Sequence, residues 1–260
     1  MRVGGRARAY PEQILIWHEI VNDTLGGRPL GVTYCPLWNS ALAFDRRIRG
    51  RTLTFGTTGK LRVVGRYTGS RLRPIEAQVL SWLDFESAYP RGTVLSRHTG
   101  FDRPYGMDPY VGYDTAPRPG RASTPAASIR GCRRSSASSP CSPATGRSSS
   151  PFSTLARRPV VAGTIGGRPL VVLYARGTVS ALDEDLIAQS REVGSAGVFD
   201  PRVGRRTLRF TATFRDQTGS TWDLSGRALR GPLRGERLRA LRHDEQVWFA
   251  LAAFLPHAEL

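Results

Sequence analysis

The sequence predicts a mainly β fold, β-rich α+β, in which two homologous β-hairpin-based halves with short helices are related by a pseudo-twofold axis. Three observations predict it. The stretch Thr24-Leu-Gly-Gly-Arg-Pro-Leu-Gly-Val-Thr-Tyr34 returns as Thr164-Ile-Gly-Gly-Arg-Pro-Leu-Val-Val-Leu-Tyr174, 140 positions later. Further matches keep the same order: Pro11 and Leu15 with Pro151 and Leu155, Ser40-Ala41-Leu42 with Ser180-Ala181-Leu182, Phe44-Asp45 with Phe199-Asp200, and Arg71-Leu72-Arg73 with Arg237-Leu238-Arg239. The repeated unit itself has hairpin chemistry, because a Gly-Gly pair takes the positive φ of a tight turn and an apolar, β-branched run follows it. Ordered matches over so much of the chain mark an internal repeat.

The elements follow in order. Tyr10 to His18, with Pro11 and apolar Ile14, Leu15 and Trp17, reads as a short helical turn. Glu19 to Asp23 is the first arm of the hairpin, Pro29 suits the start of an edge strand, and Leu30 to Tyr34 is a strand at least half buried. Cys35 to Asn39 is a turn, Ala41 to Phe44 a strand, Arg46 to Arg51 a polar turn, and Thr52 to Phe55 pairs back. In the second half, Ser180 to Gln189 predicts a short helix capped by Ser180, with acidic residues in its first turn. Phe199 to Phe214 gives paired strands, Asp216 to Ser220 a turn using Gly219, and Gln246 to Phe254 a helix ended by Pro256.

Three segments result: residues 1–114 as the first β-rich half, 115–150 as a segment of low complexity, and 151–260 as the second half, the halves forming two domains or one fused domain. The middle segment is rich in Ser, Pro, Arg and Ala and has no apolar periodicity. It reads as a disordered linker or as a frameshifted stretch, and in either case it should lack regular structure and core contacts. The repeat favours the frameshift: Ala9-Tyr10-Pro11 should return near position 150, yet Ser149-Ser150 precede Pro151.

Composition excludes some functions. The formal charge is +17, but Lys60 is the only lysine and the arginines are spread along the chain, so no nucleic-acid partner is expected. The longest apolar stretch, Val247 to Leu255, is too short for a transmembrane segment. Met1-Arg-Val-Gly-Gly does not read as a signal peptide, so either the protein is cytoplasmic or its true start has been lost. Cys35, Cys132 and Cys141 give neither a disulfide framework nor metal spacing, and no cofactor is expected.

The candidate site residues fall in separate places. Arg103, Tyr105, Asp108, Tyr110 and Tyr113 make a dense polar-aromatic loop of the kind that binds sugars or other ligands, or that packs across the two halves. Asp216, Ser220 and Trp222, with Thr218, could line a ligand pocket; a polar turn beside a core tryptophan is the structural reading. His18-Glu19 and Cys35 could share a soft metal or haem if the hairpin joins them, against a structural histidine beside a buried free cysteine. Asp183-Glu184-Asp185 fit capping better than a catalytic pair. No catalytic residue is assigned, since Gly-x-Ser-x-Gly, a phosphate loop, a dinucleotide fingerprint and His-Glu-x-x-His are all missing.

Ala9 to Gly56, Leu95 to Asp114, Gly194 to Arg202, Asp216 to Gly235 and Trp248 to Pro256 together resemble the uncharacterised prokaryotic family called domain of unknown function 3179. The resemblance implies an exported or envelope-associated protein with a truncated N-terminus, and no established activity to transfer. The family pattern Cys-Pro-Leu-Cys is broken here, where Trp38 stands at the second cysteine. A segment is also missing between Arg62 and Val63, because Asp216 to Trp222 has no counterpart in the first half. The function expected is a non-catalytic or ligand-binding β-rich envelope module; the alternative is a metal- or thiol-dependent redox enzyme with a degenerate Cys-x-x-Cys site.

Overall fold

The computed structural model describes residues 1–56, 67, 69–113, 125–130 and 147–247. Pro11, at φ −59°, leads into the seven-residue helix α1 (Glu12–His18), which buries Ile14, Leu15 and Ile16. It stops at Glu19, whose φ of 56° turns the chain out of the helix. The hairpin Ile20–Leu25 and Arg28–Cys35 follows, closed by Gly26 and Gly27 at φ 56° and 75°. Two consecutive left-handed residues make the turn whose twist matches that of paired strands.

Each half builds the same four-stranded antiparallel sheet. In the first the order is Ile20–Leu25, Arg28–Cys35, Ser40–Asp45, Arg73–Ile75. In the second it is Val160–Ile165, Arg168–Ala175, Ser195–Asp200, Arg239–Ala240. The register also repeats: Ile20 faces Thr33 as Val160 faces Leu173, and Asp45 faces Arg73 as Asp200 faces Arg239. A small ladder leaves each sheet in the same way, Arg47–Ile48 with Arg51–Thr52 and Arg202–Val203 with Arg206–Thr207. The helix α3 (Phe152–Arg157) stands where α1 stands in the first half. One further helix, α2 (Trp82–Ala88), is capped by the Ser81 hydroxyl accepting from the Asp84 amide.

Pro29 corrects one expectation, because its strand lies inside the sheet and not at an edge. Its ring nitrogen cannot donate to Arg46, but its carbonyl accepts from the Arg46 amide at 3.0 Å, and the Arg46 carbonyl accepts from Leu53 instead. In the second half Pro201 takes the place of Arg46, and its carbonyl accepts from Leu208 at 2.9 Å. The missing donor is absorbed by the neighbouring ladder, which makes an interior proline tolerable.

Core packing differs between the copies. In the second half Leu170, Val172 and Tyr174 pack with Phe152, Leu155, Ala196 and Val198. Val171 and Leu173 pack on the opposite face with Phe199, Leu208, Trp222 and Leu224. A strand covered on both faces is a continuous apolar run, which Leu170 to Tyr174 is. In the first half Gly31 and Thr33 replace Val171 and Leu173, and the buried guanidinium of Arg46 lies over that face, donating to the carbonyls of Leu30, Leu53 and Asp23. Ala181 and Leu182 of the second half complete the first core. The halves are further joined by Ser40 Oγ donating to Asp244 at 2.8 Å and Gln78 Nε2 donating to the Leu224 carbonyl at 2.8 Å.

Three other expectations change. The segment 180–189 is a strap rather than a helix, with only a short 3₁₀ turn at Ile187–Gln189. Ser180 Oγ accepts from Leu182, and the Asp183 carboxylate takes the amide and guanidinium of Arg191, so the chain doubles back instead of winding up. Gln246 and Val247 end the strand His243–Val247, while the remainder of the expected helix, 248–254, lies outside the described residues. Within 115–150, Pro125–Arg130 pairs antiparallel with Arg147–Pro151 on one side and His243–Val247 on the other. Ladder bonds use backbone groups that every composition carries, so low complexity did not prevent strands there; residues 115–124 and 131–146 lie outside the described residues.

Candidate functional site

The site is built where the C-terminal end of α1 meets the loop that follows the strand Thr93–Val94. Side-chain-to-backbone bonds shape this loop: Ser96 Oγ accepts from the His98 amide, Thr99 Oγ1 accepts from the Phe101 amide, and the Arg103 carbonyl accepts from Tyr105. They bring the Tyr105 hydroxyl within 2.5 Å of both His18 Nε2 and Thr99 Oγ1. The Phe101 ring lies 5.4 Å from the His18 ring at 54°, with 63% of the residue exposed. Burial, and secondarily the positive charge of Arg103, holds His18 below its ordinary pKa. The imidazole is therefore neutral at pH 7, and in the tautomer protonated on Nδ1 its Nε2 accepts a hydrogen bond from the Tyr105 hydroxyl. A line of three polar groups thus runs beside an exposed aromatic face and an exposed arginine.

The remainder of the same loop is seated on the second half. Asp108 N donates to the Asp185 carbonyl, Gly112 N to that of Asp183, and Ile187 N to that of Gly106, each near 2.9–3.0 Å. Tyr110 faces another group: burial, then the charges of Glu19, Cys35 and Asp108, push its hydroxyl pKa up. Cys35 is half-buried, and burial pushes its thiol up while the amides of Trp38 and Leu37 pull it down. His18 thus bonds to Tyr105, while Cys35 feels the charges of Glu19 and Asp244. Among the described residues no group of three or more His, Cys, Asp or Glu side chains is placed to hold a metal ion.

Asp216, Ser220 and Trp222 come together in a closed network elsewhere. The Asp216 carboxylate accepts from the Thr218 amide at 2.7 Å, the Thr218 hydroxyl at 2.6 Å and Trp222 Nε1 at 2.8 Å. These bonds hold its pKa low against burial, which acts in the opposite direction. Ser220 Oγ in turn accepts from the Leu233 amide, and all three residues are buried.

Sequence reasoning did not single out a small cavity between the halves, lined by Glu12, Asn39, Phe152, Thr178, Val179 and Glu245. Glu12 and Phe152 are equivalent in the repeat, as are Asn39 and Val179, so the cavity lies where matching parts of the two copies meet. Burial pushes Glu12 up to about 7 and Glu245 well above its ordinary range, the latter also feeling Glu12 and Asp244. Glu245 accepts from the Ala196 amide at 2.8 Å. Neither Glu12 nor Glu245 belongs to a motif or spacing in the sequence that marks it out.

A family model described as "Protein of unknown function (DUF3179)" matches residues 1–63 and 62–258. The two pieces meet at Arg62 and Val63, where the repeat shows its deficit. Neither a curated protein nor a solved structure matches the chain.

Proposed function

This chain belongs to the DUF3179 family of proteins of unknown function, and from that premise we propose that it is a non-catalytic, ligand-binding module of the cell envelope whose ligand is an acidic sugar. The observation that carries the reading is Tyr105, hydrogen-bonded to His18 and Thr99 beside the exposed Phe101 and Arg103. An exposed ring receives the apolar face of a sugar, the hydroxyl line exchanges hydrogen bonds with its hydroxyls, and the guanidinium pairs with its carboxylate. Tyr110 lies on the same loop. Asp216, Ser220 and Trp222 contribute in this reading by supporting the second half, on which the loop is seated.

Support for the redox alternative is thinner. Cys35 stands beside the charges of Glu19 and Asp244, but burial moves the thiol away from its reactive form, and Trp38 occupies the place of a partner cysteine.

Calorimetric titration with an oligogalacturonate and with its methyl-esterified counterpart tests the proposal. The acidic sugar should bind saturably and the ester more weakly, and Arg103→Ala and Phe101→Ala should each weaken binding by about tenfold. Absence of saturable binding, or equal binding by both variants and the parent, overturns it.

A further inference from the structure

A cationic face is built onto the second half by strand register. Phe210 pairs with Asp216, Arg215 with Thr221, and Thr221 with Arg230. Phe210 and Trp222 turn inward, their rings 5.9 Å apart and nearly perpendicular, with Trp222 bonded to Asp216. Side chains alternate between faces along extended chain, so Arg209, Arg215, Thr221 and Arg230 share the outer face, and all three arginines are exposed. Gln217 fastens the first of these segments, donating to the Thr207 carbonyl and accepting from the Arg209 amide. Among the described residues none of Arg209, Arg215 and Arg230 forms an ion pair, in contrast to Arg202 and Arg239, which share Asp200. Where Trp222 faces Ala228 and Thr221 faces Arg230, the register slips by one residue, and that extra residue is Leu229, 42% exposed beside Arg230. A bulge re-aims the side chain it inserts.

Three arginines on one face, with the uncharged Thr221 between Arg215 and Arg230, make a cationic surface that attracts an anionic one. We propose that this face docks onto an anionic phospholipid surface, with Arg209, Arg215 and Arg230 on the headgroups and Leu229 seated among them. The inference is independent of the sugar-binding reading, since no residue is common to the two. Charge complementarity selects an anionic partner, and two features favour lipid over nucleic acid. The aromatic side chains of these strands face inward and offer no stacking platform for bases. An exposed leucine flanked by arginine also has a place at a headgroup boundary and none on a phosphate backbone.

The experiment is flotation of the whole chain with vesicles of phosphatidylcholine alone or mixed with phosphatidylglycerol, at low and at high salt. The mixed vesicles should carry the protein at low salt and release it at high salt, and pure phosphatidylcholine should not carry it. Replacing Arg209, Arg215 and Arg230 together by Gln should weaken binding by roughly a hundredfold, at about fivefold for each arginine. A second variant that replaces Arg51, Arg91 and Arg168, exposed arginines elsewhere, removes the same charge and should change binding by less than about threefold. Leu229→Ala should weaken binding without altering its salt dependence. Equal losses in the two triple variants would show a response to bulk charge and overturn the proposal. So would failure of the parent to float, or displacement from vesicles by single-stranded DNA at lower concentration than by phosphatidylglycerol.

Discussion

Asp200 grips Arg202 with two parallel hydrogen bonds, Nε to Oδ1 at 2.8 Å and Nη2 to Oδ2 at 2.6 Å, and Asp45 grips Arg47 in the same fork 155 positions earlier. Both aspartates are buried at the end of a sheet strand, and both accept the amide two residues on as well. Asp200 has an additional partner in Arg239 at 2.5 Å, while the second arginine of Asp45, Arg28, is 3.9 Å away.

That difference predicts unequal costs for the same substitution. The bonds to Arg202 hold Asp200 far below the usual carboxylate range, and those to Arg47 lower Asp45. Because both folded values are depressed, the stabilisation is present above the ordinary carboxylate pKa and is lost as pH falls towards the folded one. Asp200→Asn should cost about 2 kcal/mol at pH 7, discounted for half-exposed arginine partners, and Asp45→Asn less. Urea denaturation at pH 7 and pH 3 checks both; equal effects, or a gap unchanged at pH 3, would count against the account.

The two hairpin turns should respond differently to one methyl group. Gly26 and Gly166 both have left-handed φ, 56° and 53°. A Cβ on Gly26 would run into the carbonyl of Val3, whereas one on Gly166 meets nothing within 4 Å. Gly166→Ala should therefore cost about 1 kcal/mol, the conformational penalty alone, and Gly26→Ala at least twice that. Thermal midpoints of the two variants provide the comparison.

The carboxyl pair at the cavity predicts that stability declines with rising pH. Glu12 titrates near 7 and Glu245 above its ordinary range, so both folded values are raised. The folded protein then holds more protons than the unfolded chain from the ordinary glutamate pKa up to these values, and stability falls across that window. Glu12→Gln should stabilise the protein at pH 8 and flatten the slope between pH 5 and pH 7. Denaturation midpoints over that range measure it, and a slope unaltered by the substitution would refute the assignment.

Metal retention gives the fourth prediction. His18 bonds to Tyr105 rather than joining Cys35, so two ligands in fixed geometry are not assembled there. Purified protein should contain well under one equivalent of copper, zinc or iron by elemental analysis. The Trp38 amide donates to the Cys35 carbonyl at 3.2 Å, which folds positions 35 and 38 together in one turn. Trp38→Cys should accordingly raise metal retention, and stoichiometric metal in the unaltered chain would refute the first half of the prediction.

What the sequence alone determined here is what short-range physics decides. Gly26-Gly27 and Gly166-Gly167 announced their turns because few residues accept left-handed φ, and the apolar, β-branched run after each turn marked a strand. The order of the repeated blocks then reported two sheets of one design. Tertiary structure decided the rest, since it depends on which distant groups meet. Ser180 looked like a helix cap until Arg191 returned to claim Asp183. Pro29 looked like an edge residue until Leu53 took the carbonyl it leaves unpaired. His18 and Cys35, 17 positions apart, could have shared a site; the loop carrying Tyr105 captured the one, and burial beside Glu19 and Asp244 raised the pKa of the other. Glu12 and Glu245 line one cavity only because the halves meet there, and the burial that raises both carboxyls comes from groups distant in sequence.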